Sequence, residues 1–307
     1  MKKNEKTAEK RLTLCPEQEF TLKQDGFVGS LYKPDKDLYA GKVIIMFGGS
    51  DGKFELTRKL AAVFWSHGLT ALALAYVMEK GLPDQFYHVP IDPLEMAAKR
   101  LHDMGYEKVG LWGISKGAEL ALTAGSLLPG LVNAVVAVAP ISTVCQGFTK
   151  KNVIRILPGG SWSFHGKELP YTGFGLNKFP FGNVLKKSLA ARELTMYDLY
   201  LPVVQKPNPD AMIQVEKITG PVLLISSKMD TMWTSELAAK QIMDRLRQHN
   251  FPYLYRHLSY NHGGHMFIPM DHWMVNLFKG DRGRNREPGR RDRMDSLSKT
   301  LEFVSKW

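Results

Sequence analysis

Short apolar runs alternate with helical repeats along most of this chain, and within the runs successive residues are apolar rather than every second one. Residues 42–47, 69–76, 108–112 and 131–139 are such runs. Between them, residues 55–67, 92–104 and 115–128 carry apolar side chains at helical spacing, for example Leu56, Leu60, Val63 and Phe64. The pattern resumes with strands at 221–226 and 253–258, a helix at 235–249 between them, and a last helix at 295–307. A strand that is apolar on both faces must be covered on both, so the alternation predicts an α/β fold: a mostly parallel sheet with helices on each side. Asp92 is the expected cap of its helix, with Leu94, Ala97, Ala98 and Leu101 on the buried face. Ahead of the sheet, residues 19–33 read as two short strands turning at Asp25-Gly26.

The two blocks are separated by residues 142–219, which show no clean period but are rich in aromatic residues. Those residues argue against disorder, and the length argues for a functional insertion, so this stretch is expected to be a cap or lid over the sheet. No internal repeat is found. Residues 1–12 read as a polar tail, and 13–307 as one domain of a size that supports a substantial core.

The chain has 307 residues, 44% hydrophobic and 23% charged, which excludes collagen-like, low-complexity and disordered classes. Its two cysteines, Cys15 and Cys145, exclude a disulfide framework. No apolar run follows the basic N-terminus and none approaches a spanning helix, so a reduced, soluble, cytoplasmic protein without membrane insertion is expected. The net charge of +11 raises the question of nucleic acid, a membrane surface or an anionic substrate. Much of it is local: residues 1–11 contribute +3 and residues 279–293 contribute +4. The second of these segments reads as a Gly/Arg-rich solvated surface loop with a contact to an anionic substrate tail or a neighbouring subunit as the alternative, and no nucleic-acid partner is expected.

Chemistry enters with Gly113-Ile114-Ser115-Lys116-Gly117, a G-x-S-x-G string between a strand and a helix. That context is the nucleophile elbow, a strained turn that lifts the serine oxygen clear of the sheet while glycines let backbone approach. A nucleophilic serine needs a base, and the base needs an orienting acid. His265, after the glycine pair of the 261–266 loop, is the expected base, with His262 as fallback. Asp230, just past the strand at 221–226, is the expected acid, although Asp and Ser here also suit a helix cap; Asp198 and Asp210 are weaker candidates. The amide of Lys116 and one from the loop Gly48-Gly49-Ser50-Asp51-Gly52, best Ser50, would form the oxyanion hole. That loop matches neither nucleotide-binding glycine pattern.

The string Gly110-Leu111-Trp112-Gly113-Ile114-Ser115-Lys116-Gly117-Ala118-Glu119-Leu120-Ala121 resembles the catalytic domain of the acyl-CoA thioester hydrolase and bile acid-CoA:amino acid N-acyltransferase family. Ala75-Tyr76, Gly81-Leu82-Pro83, 215–218, 220–225, Asp230, Trp233-Thr234-Ser235 and Gly264-His265 are similar too, and the resemblance spans about 40–270. It implies an α/β-hydrolase fold and a triad of Ser115, Asp230 and His265, the set reached from the residues alone. The acyltransferase branch uses cysteine as nucleophile, so a serine implies that water takes the acyl group. Long members carry a β-sandwich domain first, for which the roughly 40 residues before the first central strand leave no room.

These readings converge on a serine hydrolase cleaving an acyl-CoA-type thioester through an acyl-enzyme, with no cofactor and no metal. The alternatives are a carboxylesterase or dienelactone-hydrolase-like esterase, an acyl-CoA:amino acid N-acyltransferase, and a non-catalytic basic binding protein. Tyr171, Phe174, Phe179 and Trp233 are candidates for the pocket wall, and Lys116, Lys150 and Lys151 for CoA phosphates. Oligomeric state is left open.

Overall fold

A computed structural model describes residues 16–151 and 154–307. The expected polar tail and Cys15 lie outside the described residues. An eight-stranded sheet runs through the protein in the order β1 (Gln18–Phe20), β2 (Val28–Tyr32), β4 (Thr70–Ala75), β3 (Lys42–Phe47), β6 (Lys108–Ile114), β7 (Ala134–Val138), β12 (Val222–Ser227), β13 (Tyr255–Tyr260). β2 runs antiparallel to both its neighbours, and every pair from β4 to β13 is parallel.

The doubly apolar strands are the reason the sheet is central. Val43, Ile45 and Phe47 of β3 pack on one face, Ile44 and Met46 on the other. On the first face lie the helices Asp92–Asp103, Lys116–Leu127 and Ser235–Gln248; on the second lie Phe54–Ser66 and Arg286–Lys306. Leu60, on the expected buried face of its helix, is fully buried, which stabilises the fold by roughly 1.5–3 kcal/mol relative to exposure.

Three local expectations change. The hairpin forms, but its turn contains a short helix, Leu22–Asp25, closed by Gly26 at φ 78°. Asp92 is the first residue of its helix rather than its cap; Ile91 holds the cap position, and the Asp92 carboxylate accepts the His165 amide instead. The segment 279–293 is not a loop throughout: the last helix begins at Arg286, not 295, and 3-10 turns precede it. Charge density masked this, because the buried residues at the start of that helix are Gly289 and the charged Arg293.

Residues 142–219 carry short strands, β8 (Gln146–Thr149), β9 (Arg155–Gly160), β10 (Trp162–Phe164) and β11 (Lys167–Glu168), then helices Phe181–Ala191 and Tyr197–Gln205; β10 pairs with β11 and with β5 (Val89–Pro90). Leu199, Tyr200, Val203 and Phe174 form a small core of their own with Trp233. No helix among the described residues is long and apolar enough to cross a membrane.

Candidate active site

β6 ends at Ile114, and the helix after it starts at Lys116. Ser115 between them has φ 57° and ψ −121°, with its amide bonded to the Val138 carbonyl at 2.9 Å. A side-chained residue in this region is strained, and the flanking glycines make the turn possible. A Cβ on Gly113 would stand 2.0 Å from the Gly117 carbonyl oxygen, and one on Gly117 would stand 2.3 Å from that of Gly48.

His265 Nε2 lies 2.8 Å from Ser115 Oγ, and its Nδ1 lies 2.9 Å from Asp230 Oδ2. With Nδ1–H donating to the carboxylate, Nε2 is left as the acceptor of the serine proton. Asp230 is held in turn: Oδ1 accepts the Met232 amide at 3.0 Å and Oδ2 the Ser235 hydroxyl at 2.5 Å. The aspartate thus also steadies the start of the helix Ser235–Gln248. Trp233 stands edge-on to the imidazole, with ring centres 5.4 Å apart, and donates its Nε1–H to the Ala139 carbonyl. All three polar residues are buried. His262 points elsewhere, to Asp292 at 3.2 Å. Asp198 pairs with Lys187, and Asp210 is exposed, so neither meets the imidazole.

Ser50 and Lys116 both border the cavity over Ser115. The first amides of a helix have no intrahelical partner, so that of Lys116 is available to an oxyanion. The glycine loop is tied from below: the buried hydroxyl of Tyr76 donates to the carbonyls of Gly48 at 2.9 Å and Gly49 at 3.2 Å. Burial, with Asp51 and Glu119 nearby, pushes the Tyr76 phenol well above its ordinary value, so it stays a neutral donor.

The cavity measures about 300 Å³, and its walls are mostly apolar. Phe174, Phe179 and Trp233 line it, joined by Phe148, Ile156 and Tyr200. Tyr171 does not; it is partly buried and packs against the sheet core. Of the lysines, Lys116 is a correction: its ammonium is buried and pairs with Glu119 at 2.7 Å, out of reach of a phosphate. Lys151 is exposed beside Asp84 at 2.8 Å. Lys150 stands at the rim, its side chain exposed overall, and donates to the Ser50 carbonyl. Crowding of that ammonium by protein lowers its pKa, and Asp51 opposes the shift. Cys145 is free and buried, and burial drives its thiol well above its ordinary value. Among the described residues, no group of three or more His, Cys, Asp or Glu is placed to hold a metal.

Two supports were not legible as such. Glu119, fully buried, accepts from Lys116, from the Cys145 amide at 2.9 Å and from Trp162 Nε1 at 2.8 Å, joining the helix after Ser115 to residues 142–219. Its only sequence signal was its place in the Gly-Ala-Glu string. The second is Asp281, which accepts the Gly264 amide at 2.9 Å and pairs with the buried Arg293. Asp281 and Arg293 both lie in the segment 279–293 that reads as solvated in sequence.

The sequence signature of a family described as "BAAT / Acyl-CoA thioester hydrolase C terminal" matches residues 97–271. Human acyl-coenzyme A thioesterase 1 is 28% identical over 224 residues, covering 72% of this chain and 48% of that protein. Mouse acyl-coenzyme A amino acid N-acyltransferase 1 is 30% identical over 261 residues, covering 80% of this chain and 53% of that protein. The chain therefore spans about half the length of the curated relatives it matches. Among solved structures, MGS-M1, an α/β hydrolase from a deep-sea metagenome library, superposes with a TM-score of 0.51 at 15% identity over 94% of this chain and 98% of that one. Together with the sheet described above, this shows the α/β-hydrolase fold.

Proposed function

The chain belongs to the BAAT / acyl-CoA thioester hydrolase C-terminal family, and from that premise we propose that it is a serine hydrolase cleaving acyl thioesters of the CoA type. One observation carries the reading: Ser115 Oγ, His265 Nε2 and the Asp230 carboxylate stand in one hydrogen-bonded line, and Ser115 borders a mostly apolar cavity. In this reading residues 13–307 act as one unit, with 142–219 as the cap that roofs the cavity. The near absence of cysteine supports a reducing, cytoplasmic setting.

Ser115 attacks the thioester carbonyl while His265 Nε2 takes its proton, and Asp230 holds the Nδ1–H and stabilises the imidazolium. Negative charge gathers on the carbonyl oxygen, where the amides of Lys116 and Ser50 receive it. His265 returns the proton to the departing thiolate sulfur, leaving an acyl-serine. Water then enters, gives its proton to His265 and attacks the ester, and His265 reprotonates Ser115 as the acid departs. The apolar walls suit an acyl chain. Lys150 at the rim is the lysine that remains for an anionic leaving group.

The test is a hydrolysis panel of acyl-CoA thioesters of graded length against p-nitrophenyl esters, on the native chain and on Ser115→Ala. The expected result is turnover of thioesters that Ser115→Ala abolishes, with the unfolding midpoint unchanged. Full activity in that variant would overturn the reading. Transfer to an amine is the second reading, favoured by the likeness to the mouse N-acyltransferase; adding glycine or taurine and finding amide product in place of free acid would select it.

A further inference from the structure

The cap carries an apolar face that nothing among the described residues covers. Helix Phe181–Ala191 has no buried residue. Val184 and Ser188 are its inward, half-buried side, and the Ser188 hydroxyl accepts the Thr195 amide at 3.2 Å. Phe181, Leu185 and Leu189, four residues apart, form one stripe on the outside. They are 57%, 48% and 69% exposed. Leu176 and Tyr197, which border the same helix, are exposed as well. A helix this short draws little stability from propensity and depends on packing its apolar face, yet this face meets water.

The charges around the stripe are nearly all of one sign. Lys178, Lys186, Lys187 and Arg192 fall within residues 173–197, where the one acid is Glu193. Glu193 is buried and accepts the Lys279 amide at 3.0 Å. Asp198, just beyond, pairs with Lys187, so those two cancel and Lys178, Lys186 and Arg192 remain as the net charge around the stripe. An apolar stripe with cationic flanks is the pattern that lies in a lipid interface and is drawn to anionic headgroups. It is a poor pattern for pairing with a second copy, since a two-fold contact would set these cations against themselves.

We propose that the outer face of helix Phe181–Ala191 docks the protein on an anionic lipid surface, lying on the layer without spanning it. The inference stands on this face and not on the chemistry of the site. It does bear on the site, because Phe179 before the helix and Met196 after it are walls of the cavity over Ser115. A docked cap holds that cavity's roof against the layer in which long-chain amphiphiles reside.

The test is co-sedimentation of the full chain with vesicles of phosphatidylcholine alone and of phosphatidylcholine with phosphatidylserine. Binding is expected to be at least ten-fold tighter on the anionic vesicles and to fall steeply with added salt. The double substitution L185Q/L189Q, on exposed side chains outside the cavity, is expected to lower binding ten-fold or more with the unfolding midpoint unchanged. Lys186→Glu is expected to weaken anionic binding only. Equal binding by L185Q/L189Q, or no preference for anionic vesicles, would overturn the proposal. So would concentration-dependent dimerisation, lost in L185Q/L189Q, without vesicle binding; that result would assign the face to a second copy.

Discussion

The carboxylate of Asp281 accepts the amide of Gly264 at 2.9 Å, one residue before the histidine that reaches Ser115. Around that bond the segment packs on the His loop with no space to spare. A Cβ on Gly280 would lie 2.2 Å from the Gly263 carbonyl carbon, and one on Gly264 would lie 2.2 Å from Phe278 Cβ. Burial pushes the Asp281 carboxyl up, and Arg293 and the Gly264 amide oppose it. The basic segment is therefore a buttress of the loop.

Breaking this pair from one side should be costly. Asp281→Ala leaves the buried Arg293 guanidinium with only the exposed Asp271 at 3.5 Å, which is expected to destabilise by up to about 3–5 kcal/mol. Asp281→Ala with Arg293→Met should recover part of that loss, because no charge is then stranded. Urea unfolding of the single and double variants measures the coupling. If Asp281→Ala unfolds at the native midpoint, the buttress reading fails.

Asp230→Asn should preserve the fold and remove most turnover. An amide in place of the carboxylate favours the wrong imidazole tautomer, and the loss in kcat is expected on the order of 10⁴-fold. Ser235→Ala removes one hydrogen bond to the same carboxylate and should cost far less. Steady-state kinetics on the best substrate of the panel, with a melting curve for each variant, separates the two.

Glu119→Ala should disturb both catalysis and stability, since it strands the buried Lys116 ammonium beside the proposed oxyanion amide. The expected destabilisation is again about 3–5 kcal/mol. Lys116→Met combined with Glu119→Leu should be much milder. Tryptophan fluorescence reports the cap directly, because Trp162 loses its acceptor.

Stability should fall on mild acidification through a histidine remote from the site. Burial lowers the His257 pKa below its ordinary 6.5, with Glu236 opposing. A histidine held neutral in the fold binds fewer protons there than when unfolded. Its contribution is thus fully present above about pH 6.5 and is lost as pH falls through the lower folded value. Burial acts to raise Glu236, but bonds from Ser226 and Ser259 win and set it below its ordinary 4.5, which adds a second loss at more acidic pH. Urea midpoints between pH 7.5 and 5.5 should decline, and His257→Gln should flatten that decline.

Ile156→Trp, on the cap strand that lines the cavity, should shift preference toward shorter acyl chains by filling the space. Labelling of Ser115 by a small fluorophosphonate should be unchanged. A uniform loss across all chain lengths would place the acyl group elsewhere.

The sheet and the trio Ser115, Asp230 and His265 were legible in the residues themselves. Apolar runs of strand length repeat without needing distant partners, and the elbow is spelled by glycines whose absence of a Cβ is a local requirement. Order along the chain then left few candidates for base and acid. The structure brings those candidates together across 150 residues between Ser115 and His265, though their catalytic roles await the substitutions above.

The rest depended on which side chains meet. Tyr171 and Phe174 look alike in sequence, yet only Phe174 faces the cavity. Lys116 and Arg293 carry charges that composition assigns to water, yet each is buried against a carboxylate, Glu119 on the same helix and Asp281 twelve residues back. The sequence by itself determined periodicity, the elbow and the chain order of the site, since these are set by neighbours within a few bonds. The tertiary structure alone decided which charges are buried and which aromatic rings wall the cavity, because desolvation and packing are properties of the assembled neighbourhood and not of the residue.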